Sequence, residues 1–167
     1  MIKLKSLKTK NLTKKIIHYI LTLKDETWRN GLDSQQKHFK TNYKNDDYHN
    51  LMFYRDMLIG YTSFRKRKIK TIGEEKSYLL LDSIVIKKKF RGKGYSSILM
   101  KYNNYFVTKK GLKSLLFCTN KNVKFFSKYR WKIANRKNFI LINYFSRKKI
   151  MTFKFRIKKN TKYSIFI

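Results

Sequence analysis

The chain has 167 residues, of which 42% are hydrophobic and 16% aromatic, and this composition excludes a disordered basic tail. Its length favours a single domain over residues 1–167 with a core of its own. The 42 Lys and Arg residues outnumber the 9 Asp and Glu residues and give a formal net charge of +33. This charge predicts attraction to polyanions, or it reflects compositional drift toward Lys, Asn and Ile in a chain without proline.

Cysteine content and hydropathy bear on the compartment. Cys118 is the only cysteine, so an intrachain disulfide is excluded and a reducing compartment is favoured. The apolar stretch at 16–23 is interrupted by His18 and Thr22, and no apolar run has the length that a bilayer requires. We therefore expect a cytoplasmic protein that makes no membrane contact.

The N-terminal part of the chain predicts a strand, two helices and a hairpin. Apolar residues at 2, 4 and 7 indicate the strand. Asn11 or Thr13 is a candidate N-cap for the first helix, and Asp33 or Ser34 for the second. The hairpin strands are predicted at 51–54 and 58–64, and a polar connection at 66–75.

Residues 79–101 are the most informative stretch. Apolar residues up to Ile86 predict a buried strand, and a helix is expected to begin near Gly94. Gly92 and Gly94 are two of only six glycines in the chain. Glycines here would let an anion approach the unpaired amides at the positive end of the helix. The sequence therefore predicts an anion-binding loop, or alternatively an ordinary tight turn.

The remaining elements follow from periodicity. Strands are predicted at 115–118, 139–145 and 150–157, and a short helix at 122–129. The period of two over 150–157 predicts one half-buried face. The helix after the glycines is predicted to bury Ile98, Leu99, Tyr102, Tyr105 and Phe106.

Two motifs carry a resemblance to a known family. The first, at 91–96, is similar to the Arg/Gln-x-x-Gly-x-Gly/Ala signature of the GNAT superfamily of acetyl-CoA-dependent N-acetyltransferases, with Ser96 at its last position. The second, at 118–131, resembles the Asn-Val-x-Phe-Tyr-x-Lys-x-Gly-aromatic segment, a close version of which occurs in glucosamine-6-phosphate N-acetyltransferases. Here Phe126 stands where that segment has Tyr, and Arg130 stands where it has Gly.

The resemblance implies an α+β fold: a mixed, mostly antiparallel central sheet with helices on both faces. It also implies a splayed strand pair that binds acetyl-CoA as co-substrate, with no metal. One strand of that pair would contact the pantetheine, the loop amides would hold the pyrophosphate, and the later helix would lie along the pantetheine arm. The cofactor-binding residues implied are Ile84, Val85 and Ile86 in the strand, Arg91, Gly92, Lys93, Gly94, Tyr95 and Ser96 in the loop, and Asn122 and Phe126 in the helix.

Catalytic candidates combine residue chemistry with the same resemblance. Asp82 is a carboxylate in an apolar strand, where desolvation would suit it to act as a base; the alternative is a structural carboxylate. Since Phe126 has no proton to donate, Tyr129 is the candidate acid, or no acid is used.

The acceptor pocket of the family lies at the first two helices. The resemblance therefore points to Glu26, Trp28 and Gln35 as substrate-binding residues. The alternative is that Trp28 packs in the core and that the polar residues are solvated or capping.

The function implied is transfer of an acetyl group from acetyl-CoA to a primary amine of a small molecule, such as an amino sugar or sugar nucleotide. A homodimer is compatible with this interpretation. The alternative is a non-catalytic basic module on the same scaffold that binds nucleic acid or another polyanion. Nucleic acid is the less favoured partner, because the aromatic spacing matches no RNA-recognition sheet motif and no zinc-ligand pattern is present.

Overall fold

The computed structural model describes residues 1–144, 146–158 and 160–167. Over these residues it has an α+β fold, which confirms the predicted class. The helices are α1 (Lys14–Trp28), α2 (Leu32–Asn42), α3 (Tyr95–Lys109) and α4 (Asn120–Ser127). The strands are β1 (Ile2–Lys8), β2 (Tyr48–Tyr54), β3 (Met57–Thr71), β4 (Glu74–Ile86), β5 (Lys113–Cys118), β6 (Lys132–Ile133), β7 (Phe139–Ile142), β8 (Lys149–Phe153) and β9 (Tyr163–Phe166).

The chain forms two compact units that alternate along the sequence. The first unit contains Met1–Arg65 and Ser83–Asn103, and the second contains Lys66–Asp82 and Asn104–Ile167. Strands β3 and β4 and helix α3 each continue from one unit into the other. That the whole chain is one domain stays a prediction.

In the first unit, β1, β2 and β3 pair antiparallel, and α1 packs its apolar face on them. Ile20 and Leu23 of α1 join Leu51, Tyr61 and Val85 in one buried cluster. Thr13 is confirmed as the N-cap of α1, since its hydroxyl accepts a hydrogen bond from the Ile16 amide at 3.3 Å.

The predicted N-cap of α2 is wrong. The cap is Gly31, whose φ of +81° suits glycine, rather than Asp33 or Ser34. The Gly31 amide donates to Oδ1 of Asp25 at 2.8 Å, so a carboxylate of α1 sets the start of α2.

A buried amide network fixes the N-terminal part of α3 in the first unit. Asn103 is fully buried and donates to Oγ1 of Thr62 at 3.1 Å, while its Oδ1 accepts from Nδ2 of Asn50 at 2.8 Å. The Ser6 hydroxyl donates to Oδ1 of Asn50 at 2.6 Å. Because buried amides without partners are costly, this network fixes how α3 and the loop before it are placed on β2 and β3.

In the second unit, β4 pairs in parallel with β5, and β5 pairs antiparallel with β8. The β4–β5 register runs from Tyr78↔Lys113 to Leu81↔Leu116, and both strands continue beyond its last pair. Strands β7 and β9 also pair in parallel, while the β6–β8 and β3–β9 pairs are antiparallel. The core of this unit is a buried cluster that includes Leu80 and Leu115.

The polar connection predicted at 66–75 is wrong, because β3 continues to Thr71 and β4 begins at Glu74. Lys66, Lys68 and Lys70 are exposed and alternate with buried residues, so their charges lie on the solvent-exposed face of β3. Glu75 pairs with Lys68 and Lys70 at 3.0 and 3.2 Å across the hairpin.

Two predicted burial patterns are only partly right. In α3 the predicted burial of Leu99 and Phe106 is confirmed, but Ile98 and Tyr105 are exposed and Tyr102 is half-buried. Met100, Asn103 and Val107 are buried in addition. In β8 every residue over 150–153 is buried, since this strand lies between β5 and β6 rather than at an edge. The last predicted strand residue at 139–145 is Phe145, which lies outside the described residues.

Candidate active site

The glycine loop between β4 and α3 is the centre of the candidate site. Gly92 and Gly94 have φ values of +75° and +78°, a region that side chains with a Cβ rarely adopt. A Cβ at either position would meet no atom within 4 Å, so the loop faces open space. The glycines are therefore needed for the backbone conformation, and they leave the loop accessible to a ligand.

The loop amides are available as donors. The first hydrogen bonds of α3 run from the Ser97 and Ile98 amides to the Gly94 carbonyl, at 2.9 and 3.3 Å. Among the hydrogen bonds of the described residues, no backbone amide over 92–96 acts as a donor. Five successive amides at the positive end of a helix form the geometry that binds a phosphate group.

Arg91 anchors this loop. Its Nε donates to the Ile86 carbonyl at 2.8 Å, and its Nη2 donates to Oγ1 of Thr27 at 2.8 Å. The guanidinium thus ties the loop to the end of β4 and to the last turn of α1. Lys93 is exposed, as its predicted role beside an anion requires.

The end of β4 leads directly into this loop. Val85 and Ile86 are buried, while Ile84 is half-buried. The Lys87 amide donates to the Ile59 carbonyl at 2.8 Å, which holds the end of β4 to β3. A Cβ at Gly60 would lie 2.6 Å from Cε of Met52 and 3.1 Å from Cδ1 of Ile86, so this glycine makes room for both side chains.

The catalytic candidates lie in the second unit. Asp82 follows Leu81, the last residue of β4 that pairs with β5. Its side chain is exposed, so the prediction of a desolvated carboxylate is wrong. Leu80, on the same face of β4, is buried, whereas Asp82 lies just past the last residue that pairs with β5. Tyr129 is half-buried and lies beyond the end of α4, with its ring 5.3 Å from that of Phe125.

The two predicted cofactor residues of α4 differ in exposure. Asn122 is exposed and open to a ligand. Phe126 is 5% exposed and packs against Phe125 and Trp131, with ring centroids 5.1 and 6.3 Å apart. Phe126 therefore belongs to the core of its unit, where it supports α4.

The three predicted acceptor-binding residues have different environments. Glu26 forms an ion pair with Lys87 at 2.5 Å and accepts from the Lys88 amide at 3.4 Å. Gln35 is buried, whereas Trp28 is 43% exposed and so does not pack in the core. Glu26 therefore stabilises the segment at 87–88 that precedes the glycine loop. Of the three residues, Trp28 is the most exposed to a ligand.

Sequence reasoning missed two cavities. One, of about 540 Å³ in the first unit, is lined by His18, Tyr19 and Thr22 of α1 and by Asp56 and Lys89, among others. Hydroxyl Oγ1 of Thr22 is buried without a hydrogen-bond partner among the described residues. The amphipathic period of α1 could not separate cavity-lining from core-facing positions.

The second cavity, of about 510 Å³, lies in the second unit at the end of β5, and we call it the β5-end pocket. It is lined by Cys118, Thr119, Asn120, Tyr144 and residues 146–149. Burial raises the pKa of the Cys118 thiol, and the nearby charge of Lys148 opposes this more weakly. The sequence analysis did not single out the run of three basic residues at 147–149, which lines this pocket.

The described residues contain neither a metal-ligand cluster nor a membrane-spanning helix. No group of three or more His, Cys, Asp or Glu residues in the described part of the chain is placed to hold a metal ion. None of the described helices combines the length and apolar character needed to cross a bilayer.

The comparisons with known proteins agree with this geometry. The model of the acetyltransferase (GNAT) family matches residues 17–129, and the chain belongs to that family. A search of curated protein sequences finds no significant match.

Solved structures share the fold over nearly their whole length, which confirms the predicted GNAT fold. Escherichia coli ElaA is 14% identical with a TM-score of 0.68, covering 91% of this chain and 98% of its own. An acyl-CoA N-acyltransferase from Pseudomonas aeruginosa is 14% identical with a TM-score of 0.67, covering 91% and 99%. PaiA N-acetyltransferase from Thermoplasma acidophilum, solved with coenzyme A, is 15% identical with a TM-score of 0.59, covering 93% and 99%.

Proposed function

We propose that this protein transfers an acetyl group from acetyl-CoA to a primary amine of a small molecule. The observation that carries the proposal is the glycine loop: its amides over 92–96 donate to no backbone acceptor in the described part of the chain, and Gly92 and Gly94 have open space where a Cβ would be. A pyrophosphate is the ligand that such a run of amides at a helix start suits best. Membership of the acetyltransferase family and the coenzyme A complex of PaiA support the same co-substrate.

Each part of the loop has a role in this proposal. The amides over 92–96 bind the pyrophosphate, with Arg91 holding the loop in place. The backbone of Ile84, Val85 and Ile86 pairs with the pantetheine amides as an added strand would, beyond the last β4–β5 pair. Asn122, which is exposed near the start of α4, is the residue proposed to contact the pantetheine arm.

The chemistry needs a proton acceptor and a polarised carbonyl. The amine nitrogen attacks the thioester carbon, so a C–N bond forms, the C–S bond breaks and coenzyme A leaves as a thiolate. Asp82, whose side chain is exposed, takes the amine proton, directly or through water. Tyr129 is the proton donor proposed for the thiolate, because Phe126 has no hydroxyl.

An amine panel tests the proposal. The protein is incubated with acetyl-CoA and amino sugars, sugar nucleotides, amino acids and polyamines, and free thiol and acetylated product are measured together. We expect equimolar thiol and amide with at least one amine, and loss of both in Gly94→Val. Gly73→Val is the matched control, because Gly73 has nearly the same φ of +76° and equally open surroundings.

A non-catalytic polyanion-binding module is the second candidate function. All nine acidic residues lie at or before Asp82, so the half of the chain from residue 83 onward carries only basic charged side chains. Such a surface attracts any polyanion, with an affinity that falls steeply as salt rises. Absence of any acetylated product, together with salt-sensitive binding of RNA or polyphosphate, would favour this module over the enzyme.

A further inference from the structure

The β5-end pocket lies at the carboxyl end of β5, which pairs in parallel with β4. The parallel β4–β5 register ends at Leu81↔Leu116, and β5 continues for two more residues to Cys118. On its other side, Cys118 is opposite Lys149 of β8. Ligands of sheets with parallel strands collect beyond the carboxyl ends of those strands, where neighbours part.

The lining of this pocket is cationic. Arg147, Lys148 and Lys149 follow one another along it, and all three side chains are exposed. No ion pair among the described residues includes Lys148 or Lys149. Since no acidic residue follows Asp82 in the sequence, the pocket lining carries positive charges alone.

Neutral donors in the pocket point to the same kind of ligand. Thr119 is the N-cap residue of α4, yet its hydroxyl makes no capping hydrogen bond and is available to a ligand. The Lys148 amide donates to Oγ of Ser146 at 3.2 Å, which shapes the basic segment as a turn. Hydroxyls and ammonium groups around a cavity of about 510 Å³ suit a small oxyanion-bearing molecule.

We infer that the β5-end pocket binds an anionic group of the acceptor, a phosphate or a carboxylate, so that the substrate is an amine that carries an oxyanion. The identification of the bound molecule as the acceptor rests on the proposed function, whereas anion binding by the pocket does not. Neighbouring cations repel one another, and an oxyanion between them relieves that repulsion. The composition does not show whether the high positive charge is functional. In this inference, the positive charges that line the pocket select the substrate.

Binding is tested first, without turnover. Inorganic phosphate is titrated into the protein at constant ionic strength, and the amide NMR signals of Thr119 and Asn120 are followed. We expect saturable shifts in the wild type that are lost in Lys148→Gln/Lys149→Gln. Lys137→Gln/Lys158→Gln is the matched control, since it removes two lysines from another cavity of the same unit. No saturable shift, or equal loss in both variants, overturns the inference.

Specificity is tested next with paired amines. Glucosamine 6-phosphate is compared with glucosamine, and lysine with cadaverine, which separates phosphate from carboxylate recognition. We expect kcat/KM to favour an anionic member by at least tenfold in the wild type and the control variant. This preference should collapse toward one in Lys148→Gln/Lys149→Gln, with the KM for acetyl-CoA unchanged.

Two outcomes separate failure of the inference from failure of the proposed function. An increase in the KM for acetyl-CoA with unchanged amine preference would assign the pocket to coenzyme A and overturn the inference alone. If no amine is acetylated while phosphate still shifts Thr119 and Asn120, the acceptor role falls with the proposed function and an anion pocket stands.

Discussion

At the scale of single residues, Asp82 is the side chain on which the proposed chemistry most depends. We predict that Asp82→Asn lowers kcat by 10²–10⁴-fold, because the neutral amide cannot accept the amine proton. The KM for acetyl-CoA should stay within about twofold, since the carboxylate does not bind the co-substrate. Asp33→Asn, an exposed acid in the first turn of α2, is the control that should leave kcat unchanged. Wild-type kcat in Asp82→Asn would remove Asp82 from the mechanism.

His49 is a buried histidine whose environment predicts how stability depends on pH. It is fully buried, with Nδ1 2.8 Å from the Tyr61 hydroxyl and Nε2 2.9 Å from Oγ1 of Thr9. Burial, helped by the charge of Lys24, lowers the pKa of His49 from 6.5 to about 3. The unfolded chain therefore binds a proton between these values that the folded protein does not.

The consequence is acid sensitivity with a defined sign. The neutral His49 contributes stability that is complete above pH 6.5 and is lost as the pH falls toward 3. We predict that, as the pH falls through that window, the protonation of His49 in the unfolded chain lowers the free energy of unfolding by up to about 1.4 kcal/mol per pH unit. Denaturant titrations from pH 7 to pH 4 measure the slope, which should be shallower in His49→Gln. An unchanged slope in that variant, or a shallower one in the exposed-residue control His38→Gln, would contradict the assignment.

At the scale of elements, the anchor of the glycine loop separates geometry from charge. We predict that Arg91→Lys weakens acetyl-CoA binding about tenfold although the charge is kept, because Lys cannot reach the Ile86 carbonyl and Thr27 together. Lys93→Gln is the complementary variant, which removes a charge but no anchoring bond. It should cost less affinity at physiological salt. A larger loss in Lys93→Gln than in Arg91→Lys would mean that charge, not loop geometry, holds the ligand.

The elements also show what the sequence could predict. The strand, glycine loop and helix around Gly94 were predicted, since scarce glycines next to regular apolar periodicity leave few alternatives. The strand extensions at 66–75 were missed, because lysines at alternating positions resemble a polar loop in the sequence. Only the structure shows that Glu75 lies across the hairpin from Lys68 and Lys70 and pairs with them. The burial of the polar residue Asn103 in α3 requires its hydrogen-bond partners in β2 and β3, which no local pattern encodes.

The sequence predicted where the glycine loop of the candidate site lies, but not how buried or exposed the individual side chains of the site are. The exposure of Asp82 and the burial of Phe126 follow from how strand and helix pack, not from their neighbours in sequence. Glu26 and Lys87 are 61 residues apart and pair only in the folded unit. Local motifs therefore located the loop, whereas the partners of each side chain required the structure.

At the scale of the whole molecule, the formal net charge of +33 makes the central claim testable only against a control polyanion. A protein this basic binds any polyphosphate to some extent, and such binding weakens steeply with salt. Specific recognition by the glycine loop depends on backbone geometry and so should be sensitive to substitution at Gly94 rather than to salt. The comparison between ligands and between variants therefore matters more than any single affinity.

The most direct measurement is calorimetric titration of the wild type, Gly94→Val and Gly73→Val with acetyl-CoA and with ATP, at physiological and raised salt. We predict that the wild type and Gly73→Val bind acetyl-CoA with equal affinity, that Gly94→Val binds it at least tenfold more weakly, and that ATP binds weakly to all three. Equal, salt-sensitive binding of both ligands by all three proteins would contradict the account, because the glycine loop would then be only a turn.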